Sequence, residues 1–383
     1  DVADLKKDAN LKLLIVAGCL GERFKDEILT ELPEVDAVCG TGDFANICEI
    51  VDKAKQKRGV FVSGCEHAPL ESGGRVLLTP SYTAYLKTAE GCDNHCTYCV
   101  IPSIRGKYRS RKKEDIIAEA KELVQNGAKE IVVIAQDTSC YGKDLYGKNA
   151  LSDLLKELSQ IENLKWIRVH YLYPEEMDDE LLKTMADTPN VLKYFDIPIQ
   201  HISDNILKRM GRKTTGARIK ALIDKIRSIM PDAVIRTSLI TGFPGETEED
   251  FNRLLTFIKE YKIEHLGVFA YSCEEGTPAA SFEDQIDEET KQARAERAME
   301  IQYDVVQKNN EKRIGNTEEI LIEGYDKITK LFYGRTKRDS VDVDEKVFVK
   351  SKIPLDTGSF YDVKLTDVLD YDMLGEFPAK EEN

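Results

Sequence analysis

From residue 84 to residue 271 the chain alternates short apolar runs with amphipathic stretches six times, and this limits the fold more than any other feature. The apolar runs at 84–89, 130–135, 165–171, 193–197, 233–240 and 265–271 read as strands. Helical patterns lie at 113–126, 150–160, 178–187, 203–210, 217–230 and 247–261. Strands separated by helices pair in parallel, and six such repeats predict an α/β fold whose sheet curls into a partial (β/α)6 TIM-like barrel. In such folds the chemistry is expected at the C-terminal ends of the strands.

The flanks differ from this middle. Residues 12–17 and 35–39 read as strands, and Gly21 to Leu32 and Asp43 to Lys57 as helices, a small α/β unit that looks incomplete. Residues 66–83 are rich in Gly, Pro and Ser and read as a linker. Residues 283–313 are strongly charged and predict one long exposed helix, after which short strands at 319–324, 330–335, 346–350 and 360–366 predict a small all-β module. The expected units are therefore 1–65 (α/β), 66–83 (linker), 84–313 (barrel) and 314–383 (β-barrel).

Composition narrows the function classes. No apolar run approaches the roughly 20 residues needed to span a bilayer, which excludes a helical membrane protein. Lys and Arg number 54 against 69 Asp and Glu, a net charge of −15 that disfavours phosphate backbones and favours basic partners. Nine cysteines without a secretory signal point to a reducing compartment, expected to be cytoplasmic, with thiols as ligands or core residues. The chain opens Asp1-Val2-Ala3-Asp4 with neither an initiator Met nor a signal-peptide pattern, so a fragment or processed form is expected.

The strongest chemical signal is Gly91-Cys92-Asp93-Asn94-His95-Cys96-Thr97-Tyr98-Cys99, directly after the first barrel strand. Three thiolates on one tight loop can hold three irons of a [4Fe–4S] cluster and leave the fourth iron open to a chelate. The competing readings are a Cys3His zinc site using His95, or three unlinked core thiols. The Cys-x3-Cys-x2-Cys spacing in this place resembles the radical S-adenosylmethionine (SAM) superfamily. There the open iron chelates SAM, and its reductive cleavage yields a 5′-deoxyadenosyl radical. The resemblance sharpens over 86–111 (LKTAEGCDNHCTYCVIPSIRGKYRSR), 135–142 (AQDTSCYG), 198–215 (PIQHISDNILKRMGRKTT) and 236–251 (RTSLITGFPGETEEDF), which look like the methylthiotransferases. The β module resembles the TRAM barrel that closes those enzymes. The resemblance covers essentially the whole chain.

One branch, RimO-like, modifies an aspartate β-carbon of small-subunit ribosomal protein twelve; the other, MiaB-like, modifies a tRNA adenosine. Segments 334–339 (GRTKRD) and 365–376 (LTDVLDYDMLGE) resemble the RimO branch. Charge agrees: residues 316–383 hold ten Lys plus Arg and sixteen Asp plus Glu, so 10 − 16 = −6, where a tRNA-docking barrel would be basic. Acidity that merely aids solubility is the plainer account of this charge. Outside the enzyme class, a ribosome- or nucleic-acid-binding module with a structural metal is a third reading.

The resemblance implies that Cys92, Cys96 and Cys99 hold the SAM-binding cluster. Cys19, in Ala17-Gly18-Cys19-Leu20, then corresponds to one of three ligands of a second cluster; the other two are expected upstream of this chain. On that reading the chain binds the first cluster but lacks full methylthiolation. Tyr98, Gln136, Ser238 and Tyr271 become candidates for SAM, and Arg105, Gln200 and His201 for substrate. An electron-donor protein is an implied partner, and no membrane partner is expected. Asp137 and Thr237 neighbour these candidates, and a loop or structural role is nearly as good an account of each. The basic stretch from Arg105 to Lys113 either steers an anion or is a solvated face. Core packing is the expectation for Cys39 and Cys48, burial the default for Cys140 and Cys273, and Cys65 is open.

Overall fold

A computed structural model describes residues 2–68, 70, 77 and 80–378. After a short helix α1 (Leu5–Asp8), the N-terminal unit runs β1 (Ile15–Ala17), α2 (Cys19–Glu31), β2 (Ala37–Cys39), α3 (Ile47–Gln56) and β3 (Gly59–Val60). Its strands form a parallel sheet in the order β1-β2-β3. The third strand is too short to stand out in the sequence. Half of the expected linker (69, 71–76, 78 and 79) lies outside the described residues; its last residue, Thr83, already belongs to a strand.

The barrel begins with β4 (Thr83–Lys87), β5 (Ala89–Glu90), α4 (Ile101–Arg105), β6 (Arg109–Ser110) and α5 (Lys113–Gln125). It continues through β7 (Glu130–Ile134), α6 (Lys143–Tyr146), α7 (Leu151–Leu158), β8 (Trp166–Val169), α8 (Asp179–Asp187) and β9 (Tyr194–Asp196). The last repeats are α9 (Asp204–Arg209), α10 (Gly216–Ile229), β10 (Val234–Thr241), α11 (Glu248–Tyr261) and β11 (His265–Ala270). The parallel ladders β4-β7-β8 and β9-β10-β11 are joined by the bridge Ile167–Val191, giving an open six-stranded wall. Strand residues such as Ala84, Leu86, Ile131 and Val133 face the helices and share one core with Ile116, Leu154 and Leu182. Alternation then turns Thr83, Tyr85 and Lys87 to the inside of the wall. Caps set helix starts: Asp178, Thr215, Thr247 and Asp287 each accept a backbone N–H of the first turn.

Helix α12 (Glu288–Glu311) is long, as its charge suggested, but not exposed all round. Ala295, Ala298, Ile301, Val305 and Val306 form a buried face. The last unit is a closed barrel of β12 (Thr317–Asp326), β13 (Leu331–Thr336), β14 (Val347–Lys350), β15 (Phe360–Leu369) and β16 (Asp372–Glu376). Its fifth strand, β16, pairs parallel to β14 and closes the barrel.

This small barrel seals the N-terminal end of the large one. Glu130, at the start of β7, accepts Arg168 Nε at 3.0 Å and Arg335 Nη2 at 2.6 Å. Burial alone would raise the Glu130 carboxyl, but the two guanidinium groups hold it down at about 2. Loop residues after β13 complete the seal: Ser340 Oγ lies 2.8 Å from His170 Nε2, and Asp344 accepts the Tyr194 hydroxyl at 2.5 Å.

Candidate active site at the cysteine loop

The loop between β5 and β6 rises from the C-terminal end of the first barrel strand. Its entry depends on Gly91, at φ +84°, where an added Cβ would lie 2.1 Å from the Lys107 carbonyl oxygen. No side chain fits there. The turn lets Cys92 N donate to Gly106 O at 3.2 Å.

Three neighbouring elements clamp the loop. Asn94 Nδ2 donates to Asp137 Oδ2 at 2.7 Å, just past β7. Thr97 donates to the carbonyls of Met210 and Arg209, and its own carbonyl accepts Ala279 N at 2.9 Å. Asp93 accepts Tyr108 N at 3.2 Å. Such a clamp fixes the thiols before any metal arrives.

Cys92 and Cys96 are buried and Cys99 is half-buried. Burial, aided by Asp137, pushes the Cys92 thiol up to about 11, and burial also raises Cys99. Metal binding must therefore displace protons from these thiols. Ile101 N donates to Cys99 Sγ at 3.4 Å.

The donor set can be tested against the metals it could hold. A tetrahedral zinc cage with bonds of about 2.3 Å needs sulfurs about 3.8 Å apart. Among the described residues, the trio of candidate ligand atoms lying within 4.8 Å of one another is His265, Asp344 and Glu345, not the cysteines. His95 is exposed with left-handed backbone (φ 52°), turned out from the buried thiols. With His95 exposed, the residues do not present a Cys3His zinc set; three thiols on one clamped loop fit a [4Fe–4S] cluster with one open iron.

The remaining candidates divide. Tyr98 stands edge-on to Phe243 (6.3 Å between centroids), and Phe243 stands edge-on to Tyr271 (5.1 Å), an aromatic wall beside the loop. Ser238 is half-buried on the inward-facing row of β10. Gln200 has left-handed backbone (φ 68°) and bridges to β10 through Ser238 O and Ile240 N. Thr237 Oγ1 donates to Ile197 O and is structural.

His201 is not brought to the chamber. It is fully buried, with Nε2 3.0 Å from Glu246 Oε1 and Nδ1 accepting Ser203 N at 2.9 Å. The bare Nδ1 fixes the neutral Nε2–H form, which donates to Glu246. The basic stretch is a solvated face only at Lys107 and Lys112. Arg109 donates to the carbonyls of residues 65, 66 and 68, Arg111 pairs with Glu119 at 2.6 Å, and Lys113 pairs with Glu157. Cys39 is buried as expected, whereas Cys48 and Cys273 are exposed and Cys140 is half-buried.

Cys19 lies across the loop, where Arg105 Nη2 donates to its sulfur at 3.0 Å. Arg105 Nη1 reaches Glu90 Oε1 at 3.2 Å, as does Gln136 Nε2. Sequence reasoning passed over Glu90, Lys87 and Arg212. The signal for the first two was a charge at inward and loop-entry positions of an apolar strand. Arg212 lies over the Tyr173 ring at 4.5 Å and donates to Pro198 O.

Comparison with known proteins completes the description. Residues 86–258 match the radical SAM superfamily, and residues 314–377 match the TRAM domain. A ribosomal protein uS12 methylthiotransferase RimO from Clostridioides difficile (strain 630) is 50% identical over 98% of this chain and 84% of its own length. A protein of the same name from Geobacter sulfurreducens is 46% identical over 98% of this chain and 85% of its own length. Among solved structures, the cobalamin-dependent S-adenosylmethionine radical enzyme OxsB superposes with a TM-score of 0.50 at 13% identity, covering 77% of this chain and 45% of that one. That likeness speaks for the fold.

Proposed function

The chain belongs to the RimO family of ribosomal protein uS12 methylthiotransferases, and from that premise we propose that it adds a methylthio group to an aspartate β-carbon of uS12. The observation that supports the chemistry is the set of three thiols, two buried and one half-buried, gathered on one clamped loop at the C-terminal end of the first barrel strand. Cys92, Cys96 and Cys99 would hold a [4Fe–4S] cluster. When bound, that cluster supplies the electron that cleaves SAM to the radical which takes hydrogen from the substrate carbon.

This chain's residues supply position and shelter. The Asp137–Asn94 bond and the Thr97 clamp hold the loop at fixed height above the strand ends. Tyr98, half-buried and backed by the buried rings of Phe243 and Tyr271, offers an apolar face for the adenine, and Ser238 a hydroxyl for the ribose or carboxylate of SAM. Correct spacing between radical and target carbon is the main contribution such a scaffold makes. The set assigned to a second cluster in this sequence is Cys19 alone, which does not complete a ligand set. An electron-donor protein and a cytoplasmic setting belong to the same proposal. No helix among the described residues is long and apolar enough to cross a membrane.

The substrate assignment rests on family and on charge. The net −6 of residues 316–383 suits a basic ribosomal protein better than a phosphate backbone. Mass spectrometry after anaerobic turnover with SAM and reductant tests it, using a form extended upstream, with uS12 and unmodified tRNA offered together. The expected result is a methylthio gain on a uS12 aspartate; a gain on tRNA alone overturns the reading.

A further inference from the structure

Glu90 is the last residue of β5, one position before the glycine that starts the cysteine loop, and its side chain is 2% exposed. A buried carboxylate needs partners, and it has three. Oε2 accepts Lys87 Nζ at 2.8 Å; Oε1 accepts Arg105 Nη1 and Gln136 Nε2, each at 3.2 Å. One negative charge thus gathers two positive ones, leaving a surplus of +1. Lys87 and Arg105 keep 33% and 31% of their side chains exposed, so the surplus is open on one side. Lys87 lies on the inward row of β4, Gln136 follows the C-terminal end of β7, and Arg105 extends to Cys19. The fan therefore opens where the barrel, the cysteine loop and the N-terminal unit meet.

Of the other cations near the loop, Arg212 is pinned over the Tyr173 ring and faces Glu175 at 3.7 Å, with its buried Nε and Nη1 lacking a hydrogen-bond partner. Lys143, after β7, is held by Glu176, and deeper in the barrel Arg236 is held by Asp196 at 2.9 Å and Asp344 at 3.4 Å. Gln136 also has a buried carbonyl oxygen, Oε1, with no hydrogen-bond partner.

Resting on the uS12 reading, we propose that Lys87 and Arg105, held side by side by Glu90, are the carboxylate anchor for the substrate aspartate. The Gln136 oxygen would take an N–H of the same segment. Glu90 is a positioning residue: it sets the two cations at one height and offsets one of their charges. A carboxylate docking there would form charge-assisted bonds to both. The methionyl carboxylate of SAM has the same chemistry and is the competing occupant.

Dissociation constants of the cluster-loaded protein decide it, measured for uS12, for uS12 with the modified aspartate changed to asparagine, and separately for SAM. Lys87→Gln and Arg105→Gln should each weaken uS12 binding by about tenfold or more. They should leave the asparagine form and SAM within about twofold of wild type, with iron content and melting temperature unchanged. Glu90→Gln should weaken uS12 and spare the asparagine form, and Lys87→Arg should restore most of the affinity. Equal losses for both uS12 forms, or wild-type binding by both variants, overturn the anchor. A loss of SAM affinity in place of uS12 affinity also overturns it and gives the site to SAM. Wild-type protein with no affinity for uS12 overturns the family-based reading itself, and the anchor with it.

Discussion

At the scale of single residues, the cysteine loop depends on positions that carry no chemistry. Gly91 is the sharpest case, because its left-handed φ and the Lys107 carbonyl together forbid a Cβ. Gly91→Ala should cost about 1–3 kcal/mol locally. Iron bound after anaerobic reconstitution should fall with it, while far-ultraviolet circular dichroism stays unchanged. The ligands themselves were legible, since three thiols at this spacing after a strand have few other uses. Their supporters were less so. Asn94 and Asp137 stand 43 positions apart in sequence, and nothing local announces that one holds the other. His201 shows the opposite failure: a histidine after a strand looks available, yet Glu246, Arg294 and Ser203 form a closed buried network around it.

At the scale of elements, periodicity located the barrel strands and helices to within a few residues, because one face of each is packed and the other is not. The helix after the Gly-rich turn at 241–245 carries a further signal. Thr247 and Asp250 form a reciprocal capping box at the start of α11. Thr247→Ala should therefore destabilise the protein by about 1 kcal/mol in urea titration, with the slope unchanged. Elements were missed where the signal was too short or masked by charge. β3 has two residues, β16 is interrupted by Gly375, and the buried face of α12 mixes two alanines and three branched apolar residues with Lys291, Gln302 and Asn310.

At the scale of the whole molecule, the contact between the two barrels is charged and buried, and this makes it sensitive to pH. His265 faces Asp344 and Glu345 across the joint, with Nδ1 2.6 Å from Glu345 Oε2 and Nε2 2.9 Å from Arg338 O. Burial opposes its charge, but the carboxylates of Asp344, Glu345 and Asp339 prevail and raise it to about 10. A histidine raised above its usual 6.5 stabilises the fold fully below that value and loses the contribution as pH climbs towards 10. The melting temperature should accordingly fall between pH 7 and pH 10, and His265→Gln should flatten that fall while lowering stability at pH 7. The same joint governs traffic. The loop that brings Ser340 and Asp344 under the large barrel packs across its floor. SAM, the ribosomal protein and every spent fragment then share the opposite end as entrance and exit. A macromolecule seated at that doorway would shut in whatever arrived before it, so the small molecule must load first, and its remains can leave only after the large partner steps back.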